Sequence, residues 1–154
     1  MNLTLDWNTV LTLASTLVAV YSLIKMQSAR QAARVARQKL LNQRAVEEFD
    51  EMARGAANLS MVIRNQEWRQ CAELSTTLRI SLARANGSWP GLLKGLEKDK
   101  LEAAGKGMQS LAAMIPAEGT TLDGNPLPQM IEQCNFMIDV AAEIAGRLKY
   151  LEED

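Results

Sequence analysis

From Trp7 to Ile24 the chain runs WNTVLTLASTLVAVYSLI without a charged side chain, and the twenty residues that follow carry six bases and no acid. As a helix rising about 1.5 Å per residue, the uncharged run spans about 27 Å, close to the hydrocarbon thickness of a bilayer. Trp7 and Tyr21 stand near its ends, where amphipathic rings favour the headgroup region. Leu3 and Leu5 can extend it. The pattern predicts a single transmembrane helix over residues 1–24. A cleaved signal peptide fits less well, because no Lys or Arg precedes the run and Tyr21 and Ile24 do not suit a small-residue cleavage site. A buried helix of a soluble domain is the other alternative, since five Ser and Thr residues dilute the apolar character.

Those polar residues are not scattered. At 100° per residue, Asn8, Thr9, Thr12, Ser15, Thr16, Ala19 and Ser22 fall on one side, and Val10, Leu13, Leu17, Val20 and Ile24 on the other, with Leu23 out of place. In a bilayer such a small, hydroxylated side lets helix backbones approach and bond across. Thr9, Thr12, Ser15, Thr16, Ala19 and Ser22 are therefore the candidate residues for self-association, although a hydroxyl can instead bond its own helix backbone.

Residues 25–44 (KMQSARQAARVARQKLLNQR) are rich in good helix formers, and no Gly or Pro occurs before Gly55. A juxtamembrane helix continuous with the span is expected. Lys25, Arg30, Arg34, Arg37, Lys39 and Arg44 form a basic collar suited to anionic headgroups, and its position sets topology: N-terminus outside, remainder cytoplasmic. Met26, Ala29, Ala33, Ala36 and Leu40 make an adjoining small stripe, which offers a stalk-packing alternative. Nucleic-acid binding is disfavoured, because no aromatics interleave the bases and no reading motif is present.

Beyond residue 44 the apolar spacing is helical throughout, and no segment shows β-branched alternation. The first helix has Phe49, Met52, Ala53, Ala56 and Ile63 on one face. A second, capped by Asn65, carries Trp68, Cys71, Leu74, Leu78 and Leu82. Asn86-Gly87-Ser88 ends it, and Pro90 suits the first turn of a third with Leu93, Leu96, Ala104, Met108, Leu111 and Ile115 inward. After Pro116 and a polar loop over 117–127, Pro128 opens the last helix. Its seam of Met130, Cys134, Met137, Ala141, Ile144, Leu148 and Leu151 is the most regular in the chain. The expected architecture is all-α: a transmembrane anchor (1–24), a basic juxtamembrane helix (25–44) and an antiparallel helical bundle (45–154).

Charge changes this picture in one way. The net charge of -1 hides a basic collar beside a bundle with eleven basic and seventeen acidic residues. The chain has no histidine, the commonest general base and metal ligand. Its two cysteines, Cys71 and Cys134, have no metal-ligand spacing and read as buried small hydrophobes. Gly105-Lys106-Gly107 lacks the strand, the further Gly and the Ser or Thr of a phosphate loop. Glu47, Glu48, Asp50 and Glu51 read as a solvated face, because carboxylate metal sites in bundles draw on several helices. Trp89, beside a Gly/Pro turn, is either a plug for the bundle or an exposed partner anchor.

No catalytic apparatus, cofactor site or metal site emerges. The expected function is a non-enzymatic scaffold, sensor or adaptor, single-pass in the plasma (inner) membrane, whose cytoplasmic bundle binds a cytosolic protein. Its other expected partners are the lipid bilayer and a second copy of itself. The alternative is an oligomeric membrane effector whose polar-faced span forms or gates a pore.

Overall fold

The structure, a computed structural model, describes residues 7–89, 91–116 and 126–150, with the side chains of residues 7–10 and 13 outside the description. The described residues form four helices and no strand: α1 (Trp7–Arg64), α2 (Trp68–Ser88), α3 (Gly95–Met114) and α4 (Leu127–Tyr150). They divide into two units, with the boundary between Leu40 and Leu41.

The first unit contains the N-terminal part of α1. The absence of Gly and Pro and the run of Ala, Arg, Gln and Lys after residue 24 account for its helicity. Every described side chain from Leu11 to Leu40 is exposed. Among the described residues no helix is long and apolar enough to cross a membrane. The expected transmembrane span is corrected to that extent: Thr12, Ser15, Thr16 and Ser22 dilute the described run, and Lys25 ends it.

The second unit is a helical bundle. The C-terminal part of α1 buries Ala45, Val46, Phe49, Met52, Ala56, Leu59 and Ile63 on one face. The chain then reverses through Asn65-Gln66-Glu67. The amide of Gln66 donates to Ile63 O at 3.0 Å and that of Glu67 to Val62 O at 3.2 Å, while Gln66 has a φ of 59°. These two crossed bonds around a left-handed residue are a Schellman ending, with glutamine in the place glycine usually takes. Asn65 therefore belongs to the ending of α1. The N-cap of α2 is Glu67, whose carboxylate accepts from Asn65 Nδ2 at 3.4 Å.

Lys149 Nζ lies 3.0 Å from Asp50, and Lys100 Nζ lies 2.6 Å from Glu143. A Cβ added at Gly55 would stand 3.0 Å from Leu78 Cδ2. Each of these contacts joins two different helices of the bundle. The cores of α2 (Cys71, Leu78, Leu82, Ala85) and α4 (Met130, Cys134, Met137, Ala141, Ile144, Leu148) follow the spacings read from the sequence. In α3 the seam runs through Glu97, Leu101, Ala104, Met108 and Leu111, whereas Leu96 is 68% exposed. The inward position expected for Leu96 belongs to the next residue, and that residue is charged. Helix α3 also starts at Gly95, after the turn expected to open it. Pro90, Leu151 and the loop over 117–125 lie outside the described residues.

Candidate functional site

A concavity of the second unit lies between α1 and α2 and has a volume of about 430 Å³. Its apolar floor is made by Met52, Leu74 and Leu78, and Gly55 lets the two helices close beneath it. Glu47, Glu48 and Glu51 form an acidic wall on α1, because spacings of three and four residues bring them to one side of the helix. Arg44 and Arg84 add positive charge, one from each helix. The groove pairs an apolar strip with charges of both signs, and Thr77 and Ser81 add hydroxyls to it.

Trp89 stands at the C-terminal end of α2. Its indole Nε1–H donates to Glu48 Oε2 at 2.8 Å, and its amide donates to Ala85 O at 3.2 Å. Leu92 and Leu93 donate back to the Trp89 carbonyl at 3.1 and 3.2 Å. The side chain is half-buried and packs against the core. Nearby, the guanidinium of Arg147 pairs with the buried Glu97 and donates from Nη2 to Leu92 O at 2.6 Å. Glu97 Oε2 also accepts the Lys94 amide at 2.7 Å. One carboxylate thus caps α3 and ties it to α4. Sequence reading missed this pair, since a lone Glu and a lone Arg fifty residues apart carry no periodic signal.

In the first unit, Ser15 Oγ and Thr16 Oγ1 donate to Thr12 O at 2.9 and 2.8 Å. Two hydroxyls of the polar stripe therefore use their protons within their own helix, which lowers the cost of placing them in apolar surroundings. Thr12, Ala19 and Ser22 are exposed, and the Thr9 side chain lies outside the described residues. Lys25 Nζ sits 5.6 Å from the Tyr21 ring centroid, a cation–π pair. Lys25, Arg30, Arg34, Arg37 and Lys39 all lie in the first unit and are exposed, whereas Arg44 belongs to the second unit and lines the groove.

The remaining chemical candidates are either paired at the surface or buried. Lys106 lies mid-helix in α3 and pairs with Glu102 at 2.8 Å; that bond lowers the Glu102 pKa and raises that of Lys106. Cys71 and Cys134 are fully buried free thiols. Burial and the neighbouring Cys71 push Cys134 up to about 12, and burial, with Glu67, also raises Cys71. A thiol held protonated at neutral pH is a poor nucleophile and a poor metal ligand. Among the described residues no group of three or more Cys, Asp or Glu side chains is placed to hold a metal ion. No protein-family model matches the chain, and no curated protein or solved structure shows significant similarity to it.

Proposed function

We propose that this protein is a non-enzymatic adaptor, attached to the plasma (inner) membrane through the N-terminal part of α1, which presents its bundle to a cytosolic protein. One observation carries the reading. Leu17, Val18, Tyr21 and Ile24 are between 60% and 70% exposed in a stretch without charge, and that stretch adjoins the basic collar. Large exposed apolar surface of this kind marks a membrane or protein contact. Its position beside a cluster of bases favours an interface between lipid and water, with the collar and the bundle on the cytoplasmic side.

The described run falls short of an independent span. The attachment is therefore one in which another helix, in the simplest case that of a second copy, covers the hydroxylated side while Leu17, Val20 and Ile24 meet lipid. The α1–α2 groove is the partner site of this reading. The pore-forming alternative draws less support, because the Ser15 and Thr16 protons are already bonded within the helix.

Carbonate extraction of membranes from cells producing the full chain tests the attachment. Recovery in the membrane pellet is expected, and release to the supernatant would overturn it. For the adaptor role, a photo-crosslinker at Thr77 in the groove should give a discrete protein adduct that is absent when the crosslinker is at Thr76. No adduct at Thr77 would remove the groove as the partner site.

A further inference from the structure

We infer that the face formed by Arg30, Arg34 and Arg37 docks on anionic phospholipid headgroups, so that attachment depends on the composition of the bilayer. The inference rests on the membrane reading above and adds the chemical identity of the surface that receives the collar.

Charge complementarity is the first argument. Residues 25–43 hold five bases and no acid, and Arg30, Arg34, Arg37 and Lys39 make no ion pair with any carboxylate among the described residues. In the second unit five bases, Arg69, Lys100, Lys106, Arg147 and Lys149, have a carboxylate partner, and that unit also carries the acids, which residues 25–43 lack. The basic charge of the collar is thus unpaired among the described residues. Spacings of three and four residues keep the three arginines on one side of the helix, where a sheet of phosphates can meet them together.

The second argument selects lipid over nucleic acid. The apolar side chains of Tyr21, Leu23 and Ile24 are exposed immediately before the first base. The Tyr21–Lys25 cation–π pair joins the two regions. An aromatic ring with a lysine over it, set between apolar and basic surface, matches the polarity gradient of a bilayer interface. A nucleic-acid groove offers no counterpart for the apolar side. A second copy of the collar is a poor occupant, because its bases would face bases.

The test uses the full-length chain, added from dilute detergent to preformed vesicles of phosphatidylcholine alone or of phosphatidylcholine with phosphatidylglycerol, followed by flotation. Each base near an anionic surface contributes roughly a fivefold gain in partitioning. The triple variant R30Q/R34Q/R37Q should therefore lose about 100-fold of the preference for anionic vesicles. Glutamine preserves helicity, and circular dichroism checks that the fold is intact. R30K/R34K/R37K keeps the charge and should keep most of the preference, and 0.5 M salt should suppress it.

Wild-type protein that floats equally with both vesicles overturns the inference and leaves the membrane reading standing. Wild-type protein that floats with neither overturns both. Arginine-dependent binding to a duplex oligonucleotide, without a preference between vesicles, overturns the inference in favour of nucleic acid.

Discussion

The indole of Trp89 donates to Glu48 Oε2 at 2.8 Å across a sequence separation of 41 residues. The bond fastens the end of α2 to α1 beside the groove, and it turns the most conspicuous aromatic candidate of the sequence into part of the fold. Replacing Trp89 with Phe keeps the apolar body and removes the donor. That change should cost about 1 kcal/mol, because Glu48 is only half-buried and water can replace the lost bond. Trp89→Ala should cost about 3 kcal/mol through the cavity it leaves. Urea unfolding measures both. Equal costs would mean that the ring contributes only its bond.

The Arg147–Glu97 pair makes a sharper test. Glu97 is 8% exposed, so removing its partner strands a charge near the core. Arg147→Met should cost about 3 kcal/mol, and the double change with Glu97→Gln should recover a large part of that loss. A double-mutant cycle with negligible coupling would show that the two side chains act independently.

Gln66 holds a φ of 59° at the end of α1. A left-handed residue with a Cβ costs roughly 1 kcal/mol relative to glycine. Gln66→Gly should therefore raise the midpoint of thermal unfolding by a few degrees. A lower midpoint would mean that the Gln66 side chain supplies contacts that outweigh the strain.

The buried thiols make stability sensitive to base. Cys134 sits at about 12 in the folded chain, against an ordinary value of 9.0. The native state therefore holds its proton more tightly than the unfolded state. The stabilisation is fully present below about pH 9 and declines as pH rises toward 12, with a slope of up to about 1.4 kcal/mol per pH unit from this group. Denaturant titrations from pH 8 to 11 should show the decline, and Cys134→Ala should reduce its slope. An unchanged slope would place the alkaline sensitivity elsewhere. In the native protein neither thiol should react with a disulfide reagent near neutral pH.

Much of the helical architecture was legible in the sequence. The α4 seam from Met130 to Leu148 repeats by three and four and is buried as read. Helical periodicity is a property of neighbouring residues, so it survives without knowledge of the partner helix. The reading failed at Leu96 and Glu97 because it assigned the inward position by hydrophobicity. Only the arrival of Arg147 and the Lys94 amide makes a carboxylate acceptable there. The hydroxyl stripe was legible as a pattern, but the bonds of Ser15 and Thr16 to Thr12 O needed coordinates.

By itself the sequence determined the all-helical class, the continuous first helix, the segregation of a basic collar from an acidic bundle and the burial of both cysteines. All of these follow from composition and local spacing. Tertiary structure alone decided the α1–α2 groove, the Trp89–Glu48 bond, the Glu97–Arg147 tie and the left-handed ending at Gln66. Each of these depends on side chains from separate helices, or on one backbone angle, and a periodic pattern along the chain encodes neither.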